Sequence, residues 1–83
     1  MDRIYKVMDC TGKPAREIMQ FSARGPQDAI KKSGLDDPIY EITYSRKGYG
    51  YFTGRIELRA PETVSASQGL RNPLPADFVI LAV

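Results

Sequence analysis

Cations and aromatic rings are concentrated in the middle of the chain, where their types and spacing fit the binding of nucleic acid. Eight of them fall within sixteen positions. Tyrosine rings can stack on bases while Arg and Lys contact phosphate. Tyrosines are also favoured in strands, where about half of them pack into a core, and the sequence leaves both interpretations open. The residues are Tyr40, Tyr44, Arg46, Lys47, Tyr49, Tyr51, Phe52 and Arg55.

The residues needed for catalysis or metal binding are scarce. The chain has no histidine, the side chain best suited to proton transfer near neutral pH, and one cysteine, too few for a zinc site. Asp36 and Asp37 are adjacent and precede Pro38, which is typical of a turn rather than of a catalytic or calcium pair. The glycines within 48–54 lack the GK[ST] ending of a phosphate loop and predict a hairpin. We therefore expect no enzyme activity, no cofactor and no small-molecule substrate.

The overall charge and the single cysteine restrict the class of protein. Twelve Lys and Arg stand against ten Asp and Glu, a net charge of +2, whereas strong sequence-independent DNA binding usually needs a plainly basic domain. Cys10 predicts a reduced thiol in an intracellular compartment, with an intermolecular bridge as the alternative. The charged start MDRIYKVMD and the lack of an apolar run of about 20 residues predict neither a signal peptide nor a membrane span.

Hydrophobic periodicity predicts an α+β fold with one short helix. Pro26 in a first-turn position and Gly34 at the end bound a helix over 27–33. Elsewhere apolar residues alternate, as in strands packed on one face, and Gly54 marks a bulge or bend. We expect a small antiparallel sheet or pseudo-barrel of about five to six strands, with the helix after the second strand. The predicted strand segments are 3–9, 17–23, 39–45, 49–53, 55–59 and 78–83.

Residues 60–76, APETVSASQGLRNPLPA, predict a long loop or arm with three prolines. Loops of this length are uncommon in compact domains and are usually functional or disordered. The apolar run 78–83 that follows is either a self-contained core strand or a strand that pairs with a neighbour's sheet edge. We expect a single domain over 1–83 that carries this arm.

Several short motifs then suggest a family. The chain resembles the archaeal monomeric chromosomal proteins of methanogens, including relatives from large DNA viruses, over most of its length. The resemblance implies two strands, a short helix and three further strands, with a long loop in the last hairpin, and an activity of binding and bending double-stranded DNA. It also implies basic sites at Arg24 and Lys32. It rests on F-x4-P from Phe21 to Pro26, on Ala29 and Lys32, on YF at 51–52 and on AP at 60–61.

The chain departs from this family at positions that matter for DNA. It has no tryptophan, whereas the family has one soon after the aromatic residue matched by Phe52. Between Pro61 and Asp77 the one cation is Arg71, whereas the family arm is rich in Lys and Arg. Gln27 stands where the family usually has a base. These departures weigh against the DNA activity more than against the fold.

The first functional hypothesis is an architectural protein that binds and bends double-stranded DNA. It would use cations on a basic, aromatic face, with phosphate contacts that depend on salt. The candidate DNA-binding residues are Arg24, Lys32, Lys47, Arg55, Arg59 and Arg71.

The second hypothesis is a non-catalytic structural protein that is a small subunit of a larger assembly, such as a viral capsid or nucleoprotein shell. Its arm is apolar, proline-stiffened and nearly uncharged, as expected of a segment that orders against another protein. The partners would be other protein subunits, in a location that is intracellular and associated with a virion or nucleoid. The weak net charge favours this hypothesis. The candidate interface residues are Leu70, Pro73, Leu74, Pro75 and Phe78.

Overall fold

The described part of the chain folds as one five-stranded antiparallel sheet with an eight-residue helix packed on one side. The computed structural model describes residues 2–48, 50–63 and 76–83, with Lys47 and Tyr51 described by their backbone alone. The sheet order is β2-β1-β5-β4-β3, so β2 and β3 are its edges. The predicted α+β class, with the helix after the second strand, is confirmed. The elements are β1 (Arg3–Asp9), β2 (Arg16–Ala23), α1 (Pro26–Ser33), β3 (Glu41–Lys47), β4 (Tyr51–Arg59) and β5 (Phe78–Ala82).

The last strand, β5, lies in the centre of the sheet. It pairs antiparallel with β1 on one side, with Val7 opposite Ile80, and with β4 on the other, with Ile56 opposite Ile80. Because both of its edges are occupied within the chain, the self-contained core strand is confirmed. The alternative in which this strand pairs with a neighbour's sheet is wrong.

Helix α1 has the boundaries that its sequence signals predict. Pro26 occupies the first turn, and Gly34 ends the helix in the left-handed conformation at φ 77°, its N–H donating to the carbonyl of Lys31 at 3.2 Å. Ala29 and Ile30 are buried against the sheet. The helix therefore covers one face of the sheet, which we call the core face.

The core face is lined by alternate residues of the three central strands. Tyr5 and Val7 of β1 and Ile80 of β5 are completely buried, and Ile56 and Leu58 of β4 are buried beside them. Since neighbouring residues of a strand point to opposite sides, the residues between these lie on the other side of the sheet, the outer face. The fold therefore has one face covered by α1 and one face that is free of it.

The third strand begins later than the sequence pattern suggested. The carboxylate of Asp37 accepts the N–H of Ile39 at 3.0 Å, and its carbonyl accepts the N–H of Tyr40 at 3.1 Å. These bonds close a turn that holds residues 37–40 out of the ladder, so β3 starts at Glu41 and the predicted start at residue 39 is wrong. The prediction of a turn at Asp37 is confirmed.

Strand β4 is continuous but irregular at Gly54. Tyr44 lies opposite Ile56, and Arg46 lies opposite Phe52, so β4 has two more residues than β3 in this interval. Gly54 takes φ 93°, and a Cβ placed on it would lie 3.0 Å from the Cβ of Ala82. The predicted bulge is confirmed, whereas the division of this strand into two separate segments is wrong.

Candidate functional site

Aliphatic side chains form a strip across the outer face where β1 and β5 run side by side. Ile4 and Met8 of β1 alternate with the buried Tyr5 and Val7, and Leu81 lies opposite Lys6. Ile18 is the extra residue where the β1–β2 register shifts between Val7 and Met8. We call Ile4, Met8 and Leu81 of the outer face the apolar strip, and the unpaired Ile18 lies next to Glu17, the partner of Met8.

The apolar strip is open to solvent. Ile4 is 41% exposed, Met8 and Leu81 are half-buried, and the neighbouring Ile18 is 46% exposed. Single exposed aliphatic residues are ordinary on protein surfaces, but contiguous ones on one sheet face indicate a contact surface. Lys6 stands in the middle of the strip and is the cation nearest to its centre by register.

The cations on the outer face of β4 are already paired with an acid. Glu57 lies between Arg55 and Arg59 along the strand, with N···O distances of 3.6 Å to Arg55 and 3.4 Å to Arg59. The Arg59 side chain is only 10% exposed, whereas that of Arg55 is 49% exposed. Val79, opposite Glu57, is also buried. In this part of the outer face Glu57 offsets one of the two positive charges, and Arg59 and Val79 are buried, whereas Ile4 is exposed.

Two other candidate cations lie on the helix side of the sheet. The Asp28 carboxylate accepts the backbone N–H of Arg24 at 3.0 Å and lies 3.5 Å from the ammonium of Lys32. Lys32 also donates to the carbonyl of Ser22 at 2.9 Å. The hydrogen bond from Arg24, followed by the charge of Lys32, lowers the pKa of Asp28 below its ordinary value. Lys32 is thus engaged with its own chain.

A shallow cleft of about 370 Å³ separates the β2–α1 connection from β3. Its walls are residues 24–28 on one side and Tyr44 and Arg46 on the other. The guanidinium of Arg46 lies 5.7 Å from the centre of the Tyr44 ring, within the range of a cation–π contact, and donates to the carbonyl of Gly50 at 2.7 Å. The cleft thus combines an aromatic ring with two arginines, Arg24 and Arg46.

The six candidate DNA-binding residues do not share one surface. Arg24 and Lys32 lie on the helix side, and Arg55 and Arg59 lie on the outer face. The side chain of Lys47 and all of Arg71 lie outside the described residues. The four described cations therefore point to two opposite sides of the sheet.

Of the candidate interface residues, one is described. Phe78 is half-buried on the core face, where its ring meets that of Tyr40 edge-on at 6.0 Å between centres. The other four, Leu70, Pro73, Leu74 and Pro75, lie outside the described residues. Phe78 is thus engaged in packing within the chain.

The apolar strip was missed from the sequence, although a signal for it was present. Ile4 and Met8 occupy the solvent side of an alternating strand, where polar residues are usual for a sheet with one free face. Arg46 belongs to the predicted group of cations and aromatic rings, but it is not one of the six candidate DNA-binding residues. Its position in the cleft depends on the β2–α1 connection, which is remote in sequence.

Burial is the main influence on the thiol of Cys10. The thiol is half-buried, and burial raises its pKa above the ordinary value, which favours the protonated form at neutral pH. Among the described residues, no cluster of three or more potential metal ligands is present.

No protein-family model, curated protein or solved structure matches this chain. Within the part of the chain that the structure describes, no helix is long and apolar enough to cross a membrane.

Proposed function

We propose that this chain is a non-catalytic structural protein that acts as a small subunit of a larger assembly, such as a viral capsid or nucleoprotein shell. The observation that carries the proposal is the apolar strip on a sheet face that α1 does not cover. Burying aliphatic surface supplies about 25 cal/mol per Å², so the exposed Ile4 and the half-buried Met8 and Leu81 of the strip favour a protein partner.

The charges of the outer face support a protein partner over DNA. A DNA-binding surface gains affinity from cations that release counterions from phosphate. Here Glu57 lies within 3.6 Å of Arg55 and within 3.4 Å of Arg59, and this pairing weakens the positive field at both. These paired charges, together with the aliphatic residues of the strip, favour a protein surface over a phosphate backbone as the partner of this face.

The experiment that tests the proposal compares two lysines in the assembly isolated from its source through a tag on this chain. Lys6 lies within the apolar strip, and Lys31 is exposed on α1. We expect an amine-reactive reagent to modify Lys6 several-fold more slowly in the assembly than in the free chain, while Lys31 reacts alike in both. Equal protection of both lysines, or of neither, would contradict the proposal.

Architectural binding of double-stranded DNA is the second candidate, because two cations and a ring, Arg24, Arg46 and Tyr44, line one cleft. It predicts that a short duplex binds with a steep salt dependence between about 20 and 200 mM salt. Arg24→Ala and Arg46→Ala should each then reduce the salt slope by about one. Under the favoured proposal, the duplex shows no such binding.

A further inference from the structure

The directions of the backbone groups in β2 can be derived from its neighbours. The N–H of Val83 donates to the carbonyl of Ile4 at 2.8 Å, so the backbone groups of Ile4 point toward β5. In an antiparallel ladder, residues opposite such a position turn their own N–H and C=O away from it. Ser22 lies opposite Ile4, and its backbone groups therefore point away from β1, to the free edge of β2.

Two further residues of β2 point the same way. Gln20 lies opposite Lys6, two positions along from Ile4, and so it also faces the free edge. Past the register shift, Glu17 lies opposite Met8 and has the same direction. Because Gln20 and Glu17 both pair with outer-face residues of β1, their side chains also lie on the outer face.

One end of this edge is closed by the chain itself. The ammonium of Lys32 donates to the edge-facing carbonyl of Ser22, and Asp28 holds the ammonium at 3.5 Å. Lysine side chains at a sheet edge are a common means of preventing a further strand from pairing there, and here the lysine comes from α1. The rest of the edge, from Arg16 to Phe21, is not covered by Lys32.

We infer that the open part of the β2 edge pairs antiparallel with the β2 edge of a second copy of this chain. This inference rests on the proposed function, since it names one partner of the assembly subunit. The sheets of two copies would join into one sheet of ten strands, related by a two-fold axis that passes between Ile18 and Met19.

The second copy is the favoured occupant because the edge is complementary to itself in one register. With the axis in this position, Gln20 of each copy lies opposite Glu17 of the other. Both residues have edge-facing backbone groups, and both side chains lie on the outer face, so the amide of Gln20 can donate to the carboxylate of Glu17. The two-fold axis makes this pair twice.

The same register leaves the Lys32 contact undisturbed. Residue 16 of one copy lies opposite residue 21 of the other, so pairing along β2 stops one residue before Ser22. The closed end of the edge and the limit of the paired segment therefore coincide. At the centre, Ile18 of each copy lies opposite Met19 of the other, and the two residues are 46% and 37% exposed in the single chain.

The test is sedimentation equilibrium of the full chain from about 5 µM to about 1 mM, the range over which weak association is measurable. We expect the wild-type chain to shift from monomer to dimer with concentration. Gln20→Pro removes an edge-facing N–H that β1 does not use, a site where an edge strand tolerates proline. This variant should remain monomeric throughout, whereas Gln20→Val, which keeps the N–H, should still dimerise.

A charge exchange tests the register and remains decisive if the proline variant fails to fold. Gln20→Glu places two carboxylates opposite each other at both pairs and should raise the dissociation constant about 2- to 30-fold. Adding Glu17→Lys should restore dimerisation. A wild-type chain that is monomeric at every concentration, or a Gln20→Glu variant that dimerises like the wild type, would overturn the inference.

The outcome is separable from that of the proposed function. If the free chain stays monomeric while Lys6 is protected in the assembly, the edge inference alone fails. If the chain dimerises through Gln20 and Lys6 is as reactive in the assembly as in the free chain, the proposed outer-face contact fails and the edge inference stands.

Discussion

The carboxylate of Asp77 accepts a hydrogen bond from the backbone nitrogen of Ala60 at 2.7 Å, across seventeen positions of the sequence. The hydroxyl of Thr63 donates to the same carboxylate at 2.9 and 3.1 Å. The backbone of Asp77 forms two further hydrogen bonds. Its N–H donates to the carbonyl of Leu58, and its carbonyl accepts the N–H of Cys10. Asp77 therefore ties together the two ends of the long connection between β4 and β5.

Asp77→Ala should destabilise the fold by about 1.5 to 3 kcal/mol, because hydrogen bonds to a charged acceptor are lost and the N–H of Ala60 is left half-buried without that acceptor. Urea unfolding measures this directly, and the melting temperature should fall by about 4 to 8 °C per kcal/mol. Thr63→Val is the control that removes one donor and should cost about 1 kcal/mol. An Asp77→Ala variant as stable as the wild type would show that the tie has no energetic weight.

Asp28 makes the stability of the fold depend on pH in the acidic range. Its folded pKa lies below that of the unfolded chain, chiefly because of the N–H of Arg24. The contribution of Asp28 to the free energy of unfolding is therefore complete above the unfolded pKa of about 3.9. It is lost as the pH falls through the lower folded pKa. Asp28→Asn should make the urea midpoint fall less steeply with acidification below about pH 4.

Lys32→Met is the matched control for this pH dependence. It removes the neighbouring charge but leaves the N–H of Arg24, the larger cause of the lowered pKa of Asp28. Most of the pH dependence should therefore persist in this variant. If Lys32→Met flattens the pH profile as much as Asp28→Asn does, the ion pair rather than the backbone hydrogen bond is responsible.

Gly54 should not tolerate a side chain. Gly54→Ala places a Cβ 3.0 Å from that of Ala82 and forces an L-residue to φ 93°, so we expect a loss of about 1 to 3 kcal/mol in the free energy of unfolding. Gly12→Ala, where nothing lies within 4 Å of the new Cβ and φ is not in the positive region, should change stability by less than about 1 kcal/mol. Similar losses at both positions would refute the role assigned to Gly54.

A double variant separates contact from backbone strain at Gly54. Adding Ala82→Gly to Gly54→Ala removes the close Cβ contact but leaves the positive φ. We expect it to recover part of the loss, beyond what Ala82→Gly does alone, in a double-mutant cycle on urea unfolding. A coupling energy near zero would assign the whole cost to φ.

The sequence was sufficient for the features of the fold that depend on local signals. Pro26 and Gly34 bound α1 because each has a backbone preference that acts without distant contacts. The start of β3 was misplaced because Ile39 and Tyr40 suit a strand by type, while the side chain of Asp37 holds their backbone in a turn. The side chain of Asp37 thus competes with the hydrogen bonds of the sheet for these backbone groups. The alternation of apolar and polar residues does not reveal such competition.

The arrangement of the candidate site depended on strand order, which the sequence leaves open. Whether Arg24 and Arg55 share a surface is decided by which face of the sheet each one occupies, and their separation in sequence does not determine this. The central place of β5 likewise depends on pairings with β1 and β4 that are distant in sequence. The sequence therefore identifies the cations but does not show that they lie on opposite sides of the sheet.

Among the described residues, the hydroxyl oxygen of Tyr5 is the one side-chain polar atom that is fully buried and has no hydrogen-bond partner. The ring of Tyr5 is completely buried, and its centre lies 6.5 Å from the centre of the Phe21 ring. The hydroxyl oxygen is also shielded from water, but it forms no hydrogen bond in exchange. Burying an unpaired hydroxyl costs about 1 to 3 kcal/mol. Tyr5→Phe keeps the ring and removes this cost.

We therefore expect Tyr5→Phe to leave stability unchanged or to raise it by up to about 2 kcal/mol in urea unfolding. Tyr5→Ala, which removes the ring as well, should cost about 3 to 5 kcal/mol, as large aromatic truncations in a core do. The difference between the two variants separates the effect of the hydroxyl oxygen on stability from that of the packing of the ring. A loss above about 1 kcal/mol in Tyr5→Phe would mean that the hydroxyl is hydrogen-bonded in solution, with a buried water as its simplest partner.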